Sequence, residues 1–168
     1  MRKFALIAMA LASWAGMAFA TAPASGATPG EWTQAYQAAK AIAAEKGLPI
    51  LLNFSGSDWC YWCKLMDKQV FSKQEWKDWA KDNLVMVLID FPRDKSLVPA
   101  EYVARNEGLL KKYSVAGFPT FILLSSDAQA VLGQLGNSRN ATPKSFIAEI
   151  EALTSAKDKS AASGASAD

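Results

Sequence analysis

The sequence contains no histidine and only two cysteines in 168 residues. Without an imidazole, Ser-His-Asp and Cys-His catalysis, His-ligated zinc or copper and a histidine pH switch are closed to the single chain. Two cysteines complete neither a Cys₄ zinc site nor a multi-bridge framework, so any cysteine chemistry belongs to this one pair. An excess of one charge is also lacking. The 18 Lys and Arg face 16 Asp and Glu, which predicts no nucleic-acid partner and no acidic tail. What is present is a 51% hydrophobic composition, enough for the core of one domain. No metal and no cofactor is expected.

One long apolar run occurs, and it lies at the N-terminus. Arg2 and Lys3 precede Phe4 to Ala20, where Ser13 is the only polar side chain, and the run closes on Ala18-Phe19-Ala20 before Thr21-Ala22-Pro23. A basic start, an apolar middle and a small-x-small end form a cleavable secretory signal over residues 1–20. The alternative, an uncleaved anchor, has a short and alanine-heavy run for a span of about 20 residues. No cysteine lies at the junction, which excludes a bacterial lipoprotein anchor. Cleavage removes Arg2 and Lys3 and leaves 16 basic against 16 acidic residues. The expected product is an exported chain, periplasmic or secreted, without stable membrane insertion. Disulfides form and persist in such a compartment.

Residues 21–27 are small and polar, a flexible lead-in to a domain spanning 28–154. Thr28-Pro29-Gly30-Glu31 offers a cap, a proline and a glutamate, and Trp32, Tyr36, Ala39 and Ala43 share a face, so a first helix is expected over roughly 29–46. Ile50 to Phe54 is an apolar run between Pro49 and Ser55-Gly56, a buried strand. The turn Gly56-Ser57-Asp58 leads into Trp59-Cys60-Tyr61-Trp62-Cys63-Lys64 and a helical pattern through Leu65, Met66 and Val70. Ser72 with Glu75 then caps a further helix holding Trp76 and Trp79. Leu84 to Phe91 is a second strand, Pro99 to Tyr113 a helix, and Thr120 to Leu124 a third strand. Ala130 to Leu132 follows as an antiparallel fourth strand. Thr142-Pro143 opens a last helix with Phe146, Ile150 and Leu153 on one face, and the tail 155–168 is expected to be disordered. The order is that of an α/β domain, a central mixed sheet of about four strands with helices on both faces.

The cysteines sit where a strand ends and a helix begins. Cys-x-x-Cys on a helix places two sulfurs about one turn apart, close enough to bond. At the helix start, unpaired N–H groups and the dipole favour a thiolate, so Cys60 is expected to be the nucleophile with a lowered pKa. Cys63, one turn inside, is expected to be less exposed and to resolve a mixed disulfide. Lys64 adds positive field and Asp58 opposes it. A structural bridge has the same spelling, although a loop this small restricts the unfolded chain little. Half of a zinc site has it too, but lacks further ligands.

Taken together, the apolar strand, Trp59-Cys60-x-x-Cys63-Lys64 opening a helix, and Gly117-Phe118-Pro119-Thr120 before a strand resemble the thioredoxin superfamily over roughly residues 30–154. Phe54-Ser55-Gly56-Ser57-Asp58-Trp59-Cys60, then Trp62-Cys63-Lys64-Leu65 and Val70-Phe71, is more narrowly similar to exported bacterial thioredoxin-like proteins. The resemblance implies a thioredoxin-like fold and a cis Pro119 beside the disulfide, with the Phe118 backbone free to pair with an extended peptide. An ordinary trans proline opening a strand is the alternative. Gly117, Phe118, Pro119, Trp59 and Trp62 are thereby the implied substrate surface, although Trp62 fits core and surface equally well. Three departures stand out. The buried aspartate of efficient reductases falls on Asn53, allowing one extra residue in the turn, and an amide is no general base. The dipeptide between the cysteines is Tyr61-Trp62, and residues 92–108 make a longer segment than a minimal thioredoxin has, one that shapes access to Cys60 or is a plain surface insertion.

The expected function is thiol-disulfide exchange on protein cysteines, with an unidentified redox partner protein and a monomeric chain. A non-catalytic module that binds a protein on the same scaffold is the alternative.

Overall fold

A strand that is buried along its whole length needs neighbours on both edges and cover on both faces, and Ile50–Ser55 is such a strand. In the computed structural model, which describes residues 25–136 and 138–164 with side chains to residue 156, five strands form one mixed sheet. They are β1 (Trp32–Thr33), β2 (Ile50–Ser55), β3 (Val85–Asp90), β4 (Thr120–Leu124) and β5 (Val131–Leu135), in the order β1-β3-β2-β4-β5. β3 is parallel to β1 and β2, while β4 runs antiparallel to both β2 and β5. The helices are α1 (Tyr36–Lys46), α2 (Tyr61–Met66), α3 (Gln74–Asn83), α4 (Ala100–Lys112) and α5 (Pro143–Gly164).

Side chains of a strand alternate between faces. Ile50, Leu52 and Phe54 pack with Val85, Val87 and Ile89 against Tyr36, Ala39 and Ala43 of α1 and Leu109 of α4. Leu51 and Met86 point the other way and join Met66, Trp76, Ala80, Phe146 and Ile150 of α2, α3 and α5. Asn53 and Ser55 share that second face by the same alternation. Polar side chains therefore lie under α2, where the apolar core stops.

Several sequence expectations are corrected. The sheet has five strands rather than about four. The first helix begins at Tyr36, not near residue 29, because Gly30 takes φ +78 and its N–H donates to Leu84 O at 2.9 Å. That turn steers Trp32 and Thr33 into register with Met86 and Val87. A Cβ at position 30 would lie 2.5 Å from the Lys81 backbone, so the close approach requires glycine. The helix over Gln74–Asn83 starts without the expected Ser72 cap; the Ser72 hydroxyl instead donates to Lys68 O at 3.2 Å. A π turn, Asp67–Phe71, joins α2 to α3 and seats Phe71 among Trp32, Trp76, Phe121 and Phe146.

The last helix does open at Pro143, with Thr142 Oγ1 accepting from Ser145 N at 3.1 Å. It continues to Gly164, into the tail read as disordered, because alanine, lysine and serine offer no break before that glycine. Of the lead-in, Ala27 packs against the core beside α1, and Gly26 O accepts the Thr33 hydroxyl at 2.6 Å. The signal expected over 1–20, residues 21–24 and residues 165–168 lie outside the described residues. Among the described residues no helix is long and apolar enough to cross a membrane.

Candidate functional site

The polypeptide leaves β2 at Ser55 and must turn sharply to begin α2. Gly56 O closes the turn by accepting the N–H groups of Trp59 at 3.1 Å and Cys60 at 2.8 Å. A side chain at position 56 would displace the Trp59 indole, since a Cβ there would lie 2.6 Å from Trp59 Nε1. Cys60 follows as the N-cap of α2 in extended conformation, and its sulfur accepts the Cys63 N–H at 3.1 Å. The two cysteines form a disulfide with their Cα atoms 5.3 Å apart. A sulfur that receives a helix N–H is stabilised as an anion when the disulfide opens. One expectation fails here. Cys60 is 4% exposed and Cys63 7%, so the first cysteine is not the more open one, because Cys60 turns in to cap its helix while Cys63 lines a cleft.

The surface around Cys60 is aromatic. Trp59 is 41% exposed and Tyr61 67%, and Trp62, half-buried, meets Tyr61 edge-on at 5.2 Å. Trp59 packs on Phe118 at 6.0 Å and donates its indole N–H to Phe91 O at 2.9 Å. Phe91 also stacks on Phe118 at 5.3 Å. The Phe118–Pro119 bond is cis, as the resemblance implies. Pro119 is buried and Gly117 exposed; Gly117 O accepts the Thr120 hydroxyl at 2.8 Å, and the ladder with β2 begins at Thr120 opposite Phe54. Phe118 thus lies just ahead of the ladder.

Behind the disulfide a cleft of about 710 Å³ is lined by Cys63, Asn53, Ser55, Ser57, Asp58 and Asp90, among others. Asn53 is buried and its Oδ1 has no hydrogen-bond partner among the described residues. Of the ionisable groups that line this cleft, among them Asp58, Lys64, Asp67 and Lys77, the buried one is Asp90, at the end of β3. Its carboxylate accepts the Ser57 N–H at 2.9 Å and the Ser57 hydroxyl at 2.5 Å, which fixes the turn. Burial pushes the Asp90 carboxyl above the ordinary carboxylate value, against the pull of the Ser57 bonds.

Asp58 is held below that value, chiefly by the N–H of Asp94 and then by that of Arg93, which lie 2.9 and 3.0 Å from its oxygens. Lys64 Nζ donates to Asp58 O at 2.6 Å, so both residues pin the turn as well as charging it. Among the described residues no metal-holding cluster of cysteine, aspartate and glutamate occurs.

The fold thus brings Trp59, Cys60, Trp62, Cys63, Phe118 and Pro119 to one surface, with Asn53 behind it. Sequence reasoning missed Asp90, Ser57, Phe91, Arg93 and Arg139. An aspartate closing an apolar strand was a usable signal for Asp90. Nothing local pointed to the arginines, whose guanidiniums lie over Trp59 at 5.8 Å and Trp62 at 5.4 Å. The 92–108 segment is more than a surface insertion at its start, since residues 93 and 94 hold Asp58.

A thioredoxin-like domain family matches residues 36–151. The chain is 35% identical over 99 residues to the disulfide bond reductase DsbH of Chlamydia pneumoniae. That alignment covers 59% of this chain and 58% of the relative, so the match spans little more than half of the curated protein's length. Among solved structures, a DsbH oxidoreductase superposes with TM-score 0.67 at 26% identity, covering 86% of this chain and 94% of that one. A thioredoxin from Thermus thermophilus gives 0.54 at 25% identity, covering 73% and 85%. With its mixed sheet, its Cys60–Cys63 pair at the head of α2 and its cis Pro119, the chain belongs to the thioredoxin-like family.

Proposed function

We propose that this chain is an exported thiol-disulfide oxidoreductase that acts on protein cysteines through a mixed disulfide at Cys60, resolved by Cys63. The observation that carries the reading is the Cys60 sulfur at the head of α2, bonded to Cys63 and receiving its N–H at 3.1 Å, beside the Trp59–Phe118 surface. In the reducing direction the Cys60 thiolate attacks one sulfur of a substrate disulfide. The substrate S–S bond breaks, a Cys60–substrate bond forms, and one substrate thiolate leaves. Cys63, deprotonated, then attacks Cys60 and expels the second thiolate, so two electrons pass to the substrate and the chain ends as the disulfide. The oxidising direction is the reverse. The name of the Chlamydia relative, a disulfide bond reductase, favours reduction.

Asn53 takes no proton from Cys63, so that proton leaves through the cleft that Cys63 lines. Trp59, Trp62, Gly117, Phe118 and Pro119 form the docking surface, Asp58 and Lys64 adjust the field at the turn, and the chain works as a monomer in the periplasm with a separate redox partner. Replacing Cys63 by Ser tests the mechanism. Cells producing this variant should accumulate disulfide-linked adducts at Cys60 that thiols dissolve, and a Cys60→Ser variant should not. No adduct with Cys63→Ser would overturn the reading.

A second reading draws on the burial of both cysteines: a non-catalytic thioredoxin-fold module holding a protein partner, with a structural disulfide. Partner binding that survives loss of both cysteines, with no trapped adduct, would favour it.

A further inference from the structure

The Cys60 surface carries two arginines, of which Arg93 lies near enough to Asp58 for its charge to help lower that carboxyl, while no carboxylate is paired with either guanidinium among the described residues. Arg93 and Arg139 are exposed, and each guanidinium lies over one of the tryptophans that flank Cys60, 5.8 Å from the Trp59 ring centroid and 5.4 Å from that of Trp62. Among the described residues neither has a carboxylate within 4 Å, and the ion pair is Lys81 with Asp78, on α3. The nearby carboxylates are committed elsewhere. Asp58 accepts the N–H groups of Arg93 and Asp94, and Asp94 accepts the N–H and hydroxyl of Ser96. The neighbouring lysines, though exposed, are engaged by carbonyls, Lys64 by Asp58 O and Lys95 by Pro92 O. Two planar guanidiniums therefore remain with donors open to solvent.

A guanidinium stacked on an aromatic face keeps its edge free, and that edge matches a carboxylate with two parallel hydrogen bonds. The stacking also restrains its rotamer, which lowers the entropy cost of using it. The two anchors are independent. Arg93 follows the end of β3, whereas Arg139 lies between β5 and α5, where its carbonyl accepts Gln69 Nε2 at 3.5 Å. A polypeptide that lies over both Trp59 and Trp62 therefore meets both guanidiniums.

We propose that Arg93 and Arg139 are specificity-determining residues that select protein disulfides flanked by Asp or Glu. The proposal rests on the oxidoreductase reading and deepens it. The step itself is unchanged: the dithiol gives two electrons to the substrate disulfide, and the carboxylates stay outside the bond exchange.

The test uses the mature chain, pre-reduced, in single-turnover exchange with three disulfide peptides alike except for Glu, Gln or Lys on each side of the cystine. At low ionic strength the Glu peptide should react roughly three- to tenfold faster than the Gln peptide, and the Lys peptide slowest. The ratio should fall toward one near 0.5 M salt, where screening acts over a few ångströms. In Arg93→Gln/Arg139→Gln the Glu-to-Gln ratio should be close to one without salt. Equal rates for all three peptides, or a preference that survives in the double variant, would overturn the proposal.

Failure of exchange with every peptide would sink the oxidoreductase reading instead. Binding by the redox-inert Cys60→Ser/Cys63→Ser form then decides the surface: selective binding of the Glu peptide upholds it, and equal binding rejects it. Binding of that form to phosphatidylglycerol vesicles in preference to the Glu peptide would assign the guanidiniums to a membrane and reject the proposal too.

Discussion

Replacing Gly56 by Ala probes how the motif turn and the Trp59 surface depend on each other. The backbone at 56 does not take a positive φ, whereas a Cβ there would lie 2.6 Å from Trp59 Nε1 and 2.7 Å from Cζ2. Alanine is thus acceptable to the backbone and excluded only by the indole. For the methyl to fit, the ring must swing away, breaking its bond to Phe91 O and its packing on Phe118.

Overpacking of this kind costs about 1–3 kcal/mol, and the lost hydrogen bond about 1 kcal/mol, at the low side because Trp59 is partly exposed. Loss of unfolded-state freedom returns about 0.4–1 kcal/mol. The expected net destabilisation is about 1–3 kcal/mol, read by urea unfolding of the oxidised protein under circular dichroism. The decisive comparison is the same substitution in a Trp59→Ala background, where the clash partner is gone. There Gly56→Ala should be neutral or stabilising, giving a coupling of about 2 kcal/mol between the sites. An equal cost in both backgrounds would refute the reasoning.

Other substitutions test other parts of the structure. Phe71→Ala, which empties the centre of the aromatic cluster at the π turn, should cost about 3–5 kcal/mol in urea unfolding. Asp90→Asn should change the pH dependence of stability. With its carboxyl raised by burial, the folded chain binds more protons than the unfolded one, so wild-type stability contributed by this group is complete below the ordinary value of 3.8 and declines as pH rises through the raised value. The variant should lack that decline, and identical pH profiles would contradict the burial argument. Asn53→Asp would put a carboxylate beside Cys63 in the cleft. Stopped-flow measurement should show faster resolution of the mixed disulfide, since a well-placed base contributes about 10²–10⁴-fold, and an unchanged rate would show that proton removal does not limit that step.

Much of this was legible because it was local. The strand Ile50 to Phe54, the turn and the cysteine pair are contiguous, and Thr120 to Leu124 after Gly117-Phe118-Pro119 carries its own apolar run. β1 was not legible, since Trp32 and Thr33 become a strand only through pairing with Met86 and Val87, and the helical spacing of Trp32 with Tyr36 misled. The π turn likewise seats Phe71 against three aromatic partners from distant segments, Trp32, Phe121 and Phe146, besides its near neighbour Trp76. Exposure of Cys60 was misjudged because a helix start implies open N–H groups, whereas here the cysteine side chain itself caps them. Arg93 and Arg139 reach the tryptophans through tertiary structure alone.

The central claim, that Cys60 and Cys63 exchange disulfides in catalysis, is tested most directly by the reduction potential of the pair. The oxidised protein would be equilibrated with glutathione or dithiothreitol buffers and the thiols counted at each ratio by alkylation and mass. The account predicts a reversible two-electron couple between about −120 and −270 mV, where oxidoreductases of this chemistry operate. A couple below about −300 mV that glutathione leaves oxidised would mark a structural bridge and contradict the account.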